Sequence, residues 1–152
     1  MTVIGPEPRY KQCAIIMPAY NEEEALPAVI EEWSAAAAQV GGTLVILNDG
    51  SKDGTLGVLR DAVRNHDNLI AIDKPNSGHG PTCLTGYQWA IDRGFEWIFQ
   101  TDSDGQTRSE EFLEAWKLRD RHDMIFGHRP GRGDGFGRRV ISRVLKLVIL
   151  VI

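Results

Sequence analysis

The stretch CAIIMPAYNEEE, residues 13–24, decides the fold. Its first five residues are apolar without alternation, and the run gives way at once to Pro18, Tyr20, Asn21 and Glu22. A strand buried on both faces and followed by a polar loop has this pattern. Further apolar runs bounded by turn residues occur at 44–47 (LVIL), 69–72 (LIAI), 97–100 (WIFQ) and 124–126 (MIF), and each reads as a buried strand. Helical patterns fill the gaps: 23–39 with acids in its first turn, 55–65 behind Asp53, 81–93, and 109–121 with Ser109 as N-cap ahead of Glu110 and Glu111. This alternation predicts an α/β fold with a mostly parallel sheet and right-handed crossovers.

The chain has 152 residues, 42% hydrophobic and 25% charged, the balance of one ordinary globular domain. At that length a core needs no disulfide or metal staple. Cys13 and Cys83 lie in apolar and helical patterns and read as core thiols of a reducing compartment. Residues 1–12 are polar, hold Pro6 and Pro8, and lack the apolar region of a secretory signal, so they read as a loose lead-in. The net charge of −4 hides an asymmetry. From residue 128 onward Arg129, Arg132, Arg138, Arg139, Arg143 and Lys146 stand against Asp134 alone, a patch suited to phosphates or an anionic surface. A domain over 13–137 is expected to end in a glycine-rich loop (129–137), followed by a basic and then apolar segment over 138–152. Its apolar run is shorter than the roughly 20 residues that span a bilayer. It has no cap or polar tail, so the chain is expected to be cut short there.

In parallel α/β sheets, ligands bind beyond the carboxyl ends of the strands. The residues there are PAYNE (18–22), NDGSKDGT (48–55), DKPNSG (73–78) and TDSDGQ (101–106). Asp102, Asp104 and Gln106 alternate along an extended turn and offer hard oxygen ligands of the kind Mg²⁺ or Mn²⁺ prefers. A solvated turn is the bland alternative. DxDG also resembles the nucleophile motif of haloacid-dehalogenase-like phosphatases, although that motif follows the first strand and continues with Thr. The spacing excludes an EF-hand, a complete dinucleotide fingerprint and a P-loop. Gly50, Gly54, Gly78 and Gly80 are expected to supply positive φ or close backbone approach. Asn76 is either a ligand contact or an Asx-turn residue. His79 and His128 read as loop residues, and the four tryptophans as core. Asp49, in a strand-end loop, is expected to be replaceable without harm to the fold.

Taken together, IIMPAYNEE, LNDGSKDGT, NSGHGPTCLTGYQWA, FQTDSDGQ and DMIFGHR resemble, in order and over about residues 13–143, the N-terminal nucleotide-binding part of family 2 inverting glycosyltransferases with the GT-A fold. DSDGQ followed by GHR and RRVIS is similar to the subgroup that loads a sugar onto a polyprenyl phosphate, such as dolichol-phosphate mannosyltransferase. The resemblance implies a three-layer GT-A domain and metal-dependent transfer, with inversion, from a nucleotide-diphosphate sugar to a dolichyl or undecaprenyl phosphate. Pro18, Ala19, Tyr20 and Glu22 would line the base and ribose pocket, Asp49 would accept from the base edge, and Asn76 would contact the nucleotide. Asp102 would meet ribose or metal, and Asp104 and Gln106 would hold Mg²⁺ or Mn²⁺. Arg129, Arg138 and Ser142 match positions that meet donor or acceptor phosphates, with Asp104 and Arg129 nearest the chemistry. Asn48 departs from the family's usual Asp. The implied partners are a nucleotide sugar, a lipid phosphate and a membrane surface reached through 138–152, with no nucleic acid; the implied place is the cytoplasmic face of a membrane. A phosphatase or phosphotransferase using Asp102, and an inactive nucleotide-binding fragment, stay open as alternatives.

Overall fold

The computed structural model describes residues 1–127. Its elements are β1 (Thr2–Ile4), β2 (Cys13–Ala19), α1 (Leu26–Gln39), β3 (Gly42–Asp49), α2 (Thr55–Asn65), β4 (Leu69–Lys74), α3 (His79–Asp92), β5 (Trp97–Gln100) and α4 (Ser109–Trp116), with a 3-10 turn at Arg119–Arg121. The sheet order is β1-β4-β3-β2-β5, in which β2 to β5 are parallel and β1 is an antiparallel edge. No helix among the described residues is long and apolar enough to cross a membrane.

The sheet separates two cores, as residues of alternating parity require. Cys13, Ile15, Met17, Leu44 and Ile46 face Ile30 and Trp33 of α1, Leu59 of α2 and Phe112 of α4. Ala14, Ile16, Val45 and Leu47 face Trp89 and Ala90 of α3. Three layers result. Stacked and tilted rings join Trp33, Phe99 and Phe112, with centroids 4.6 to 5.9 Å apart, and so tie α1, β5 and α4 together. Trp33 and Trp89 are buried, and Trp97 and Trp116 pack against the first core, as the sequence predicts.

Proline inside a central strand removes a ladder donor. Ile16 accepts from Thr101 on the β5 side, so Pro18, two residues on, points the same way. There β5 has already ended opposite Ile16, and no ladder bond is lost.

Four local expectations need correction. The MIF run at 124–126 is not a strand: it lies outside the sheet, with Phe126 82% exposed. Part of the N-terminal lead-in is ordered as β1, because Thr2 to Ile4 find β4 as a partner. The first helix starts at Leu26, with Pro27 in its first turn and no acid there. Arg108, not Ser109, holds the N-cap position of α4, and the Ser109 N–H donates to Glu32 Oε1 at 2.7 Å.

Helix α3 approaches the sheet at Gly86, where an added Cβ would lie 2.5 Å from Ile16 Cγ2 and 3.0 Å from Leu47 Cδ1. Gly86→Ala should therefore overpack this interface and lose about 1–3 kcal/mol in urea unfolding. Gly57, on α2, has open space instead. Gly57→Ala should gain roughly 0.5–1 kcal/mol from helix propensity in the same assay.

Candidate functional site

The parallel strands β2 to β5 end along one edge of the sheet, and a cleft of about 330 Å³ opens there. Pro18, Ala19, Tyr20 and Glu22 line it from β2 and its loop, Asp49 from β3, Asn76, Gly78 and His79 from beyond β4, and Asp102, Ser103 and Asp104 from beyond β5. Most of the residues singled out in the sequence thus share one cavity. Gln106 is not among its lining residues; it is exposed, and its N–H donates to Asp104 Oδ1 at 2.9 Å. Arg129, His128, Arg138 and Ser142 lie outside the described residues, as does the segment 138–152.

The 20–23 and 50–55 loops are stitched together by bonds between side chains and backbone. The Asn21 N–H donates to Ser51 Oγ at 3.0 Å, and the Lys52 N–H returns a bond to Asn21 Oδ1 at 2.8 Å. Next along the chain, the Glu22 N–H donates to Thr55 Oγ1 at 2.8 Å and the Glu23 N–H to Asp53 Oδ2 at 3.2 Å. Glu23 replies through Oε2 to the Gly54 N–H. Asn21 holds a left-handed conformation (φ 56°), which asparagine tolerates better than most residues. At Gly50 (φ 64°) a Cβ would meet the Asn76 backbone at 2.6 Å, so both positive φ and close approach demand glycine. Gly80 contradicts the expectation for it: it lies inside α3 with open space around it and no positive φ.

Asp49 is 4% exposed. Its Oδ1 forms an ion pair with the Lys74 ammonium and accepts the Ser77 N–H at 2.9 Å, while Oδ2 accepts the Gly78 N–H at 2.9 Å. Burial pushes this carboxyl up, but the Lys74 ammonium, the Ser77 and Gly78 amides and the Thr82 hydroxyl outweigh it and hold the group below the ordinary carboxylate range. Asn76 Nδ2 donates to the Asp49 carbonyl at 2.8 Å, so this residue tethers two strand ends and closes no local Asx-turn. Asn48 Nδ2 likewise donates to Asp73 Oδ1 at 2.8 Å, a bond that its amide can make.

The cleft is acidic where the ends of β2 and β5 meet. Burial and then the charges of Asp104 and Asp53 push the Glu22 carboxyl up. The Asp102 side chain is 57% exposed, and its Oδ1 lies 3.8 Å from His79 Nε2. Asp102 and Asp104 are the carboxylates open to a hard cation, although no group of three His, Cys, Asp or Glu side chains among the described residues is arranged to hold one. His79 opens α3 and lines the cleft instead of sitting in a loop, with Cys83 Sγ 3.6 Å from Nε2. The sequence signals that could have marked it are the glycine before it and its place at a strand-to-helix junction.

Asp49 is thus no replaceable loop residue. Asp49→Ala would strand a buried ammonium, and should cost about 3 kcal/mol in urea unfolding. Because the native carboxyl titrates below its unfolded value, its stabilisation is complete above the ordinary carboxylate range. It is lost as pH falls through the native value. Acid titration of wild type against the variant should show the difference shrinking in that direction.

Comparison with known proteins places this cleft in context. The chain is 28% identical over 144 residues to undecaprenyl-phosphate 4-deoxy-4-formamido-L-arabinose transferase of Pectobacterium carotovorum, covering 91% of this chain and 43% of the relative. It is 34% identical over 123 residues to polyprenol monophosphomannose synthase of Mycolicibacterium smegmatis, covering 77% of this chain and 45% of the relative. The chain therefore spans less than half the length of either. Among solved structures, S. aureus TarS 1–349 superposes with a TM-score of 0.56 at 25% identity, covering 82% of this chain and 38% of that one. The mannosyltransferase PcManGT of Pyrobaculum calidifontis, solved with GDP-Man and Mn²⁺, superposes at 0.60 with 21% identity, covering 78% and 35%, a likeness of fold. The three-layer sheet is thus of the GT-A type. The Glycosyl transferase family 2 model matches residues 14–147, and the chain belongs to that family.

Proposed function

We propose that the whole protein moves a sugar, with inversion and with a divalent metal ion, from a nucleotide-diphosphate sugar to a polyprenyl phosphate. The observation that carries this reading is the single cleft in which Tyr20, Glu22, Asp49, Asn76, Asp102 and Asp104 meet from four strand ends. The names of the two curated relatives, both built on a polyprenyl phosphate or polyprenol, support the acceptor class. Family membership removes the ground for reading Asp102 as a phosphoryl-accepting nucleophile.

Pro18, Ala19 and Tyr20 line the base and ribose, and Asp49 faces the base edge as an acceptor. Asp102 and Asp104 would hold Mg²⁺ or Mn²⁺, with Gln106 as a further oxygen donor. Their fit rests on hard carboxylate oxygens and on the repulsion that Asp104 already exerts on Glu22, which a cation relieves. Bound there, the metal would supply electrostatic stabilisation of the departing diphosphate. Arg129, Arg138 and Ser142 add phosphate contacts. A phosphate acceptor is already anionic near neutral pH, so it needs little general-base help from the chain. The basic and apolar segment 138–152 brings the protein to the cytoplasmic face of a membrane, each basic residue contributing about 1 kcal/mol at an anionic surface.

Calorimetry with uridine, guanosine and thymidine diphosphate sugars should detect binding of one of them with Mn²⁺ and little without it. Asp104→Asn should weaken the metal-dependent binding at least tenfold, about 1.4 kcal/mol. Unchanged affinity would take Asp104 out of the metal site, and failure of all three donors to bind would sink the reading. In liposome flotation the full chain should associate with anionic but not neutral vesicles, and a chain cut after Gly137 with neither. Equal behaviour of the two chains would remove the membrane role of 138–152.

A further inference from the structure

Lys74 ends β4, beside the cleft, yet its side chain is only 9% exposed. Its ammonium bonds to Asp49 Oδ1, to the Pro75 carbonyl at 2.8 Å, to Ser77 Oγ at 2.7 Å and to Thr82 Oγ1 at 3.1 Å. These acceptors belong to three separate pieces: the end of β3, the 75–78 loop and the first turn of α3. A lysine needs only a compact point charge and rotatable donors to join pieces that converge from different directions. Asp49 answers from the other side, taking the Ser77 and Gly78 amides of the same loop.

We propose that Lys74 is a positioning residue of the nucleotide cleft, clamping the β3 end, the 75–78 loop and α3 around one buried charge pair so that Asp49 stays an ionised acceptor for a base N–H. The inference rests on the nucleotide-sugar reading above. Without the ammonium, burial would favour the neutral acid. The other titratable groups facing the cleft are Glu22, His79, Asp102 and Asp104, with Asp73 beside Asn48 at its edge. The Thr82 hydroxyl also donates to the Asp49 carboxyl. A hydroxyl rotates freely, so a ring N–H of a nucleobase can take its place while the ammonium and the two amides keep the carboxylate still.

The test compares UDP and GDP binding, with Mg²⁺, to the wild-type chain and to Lys74→Met across a range from about pH 6 to pH 8.5. The readout is the ratio of wild-type to variant affinity at each pH, which cancels the titration of the diphosphate's own terminal phosphate at about pH 6. Lys74→Met should bind about tenfold more weakly at the acid end and recover toward wild type as Asp49 ionises at the alkaline end. A loss that does not vary with pH would mean a purely structural lysine and overturn the proposal, as would unchanged affinity. Should Lys74→Met not fold, carbon-13 NMR of the Asp49 carboxyl in the wild-type chain decides: it should stay ionised below the ordinary value of about 3.9, and titration at or above that value overturns the proposal. A wild-type chain that binds neither diphosphate overturns the nucleotide reading and the positioning role with it. Binding by wild type together with a pH-independent defect in the variant overturns the positioning role alone.

Discussion

Burial on both faces is the constraint on which the described structure depends. Every residue of β2 and β3 is buried, between α1, α2 and α4 on one side and α3 on the other. Along their length these strands cannot carry a polar side chain without a dedicated partner. The polar residues that β3 does carry obey this: the Thr43 hydroxyl donates to the Tyr10 carbonyl at 2.6 Å, Asn48 pairs with Asp73, and Asp49 pairs with Lys74. All other ligand chemistry is displaced to where the strands stop. Four parallel strands stop at the same edge, and the cleft follows from that.

What keeps the cleft in shape is hydrogen bonding more than packing. Exposed loops carry few apolar contacts, and here the 20–23 and 50–55 loops are instead joined by reciprocal bonds involving Asn21, Glu23, Ser51, Asp53 and Thr55. The third loop is anchored by Asn76 and by the Asp49–Lys74 pair. Walls held this way are set before a ligand arrives, which lowers the ordering cost of binding. The strand ends that form the cleft also differ electrically. At the β3 end a carboxylate is neutralised and fixed by an ammonium; at the β2 and β5 ends carboxylates face one another without such a partner, and burial together with the charges of Asp104 and Asp53 pushes Glu22 up. An uncompensated acidic end beside a compensated one suits a ligand whose base meets the second and whose phosphates bring a cation to the first.

Local chemistry was legible in the sequence. Unbroken apolar runs, turn residues and helical periodicity act within a few residues, so β2 to β5 and α1 to α4 could be located, with α2 and β5 at their observed bounds. The accumulation of polar residues after each strand was equally visible, because two-sided burial leaves them nowhere else to go, and the ordered motifs from 13 to 143 pointed to the family. Tertiary pairing decided the rest. MIF at 124–126 has the composition of a strand but lies outside the sheet, whereas TVI, of the same length, becomes β1 because β4 leaves an edge beside it. Asp49 and Lys74 stand 25 residues apart, and no local rule sees a buried ion pair between a strand-end acid and a strand-end lysine. Their partnership exists only once β3 and β4 lie side by side and α3 returns over them, since burial and long-range charge pairing are properties of the assembled layers and not of any segment alone.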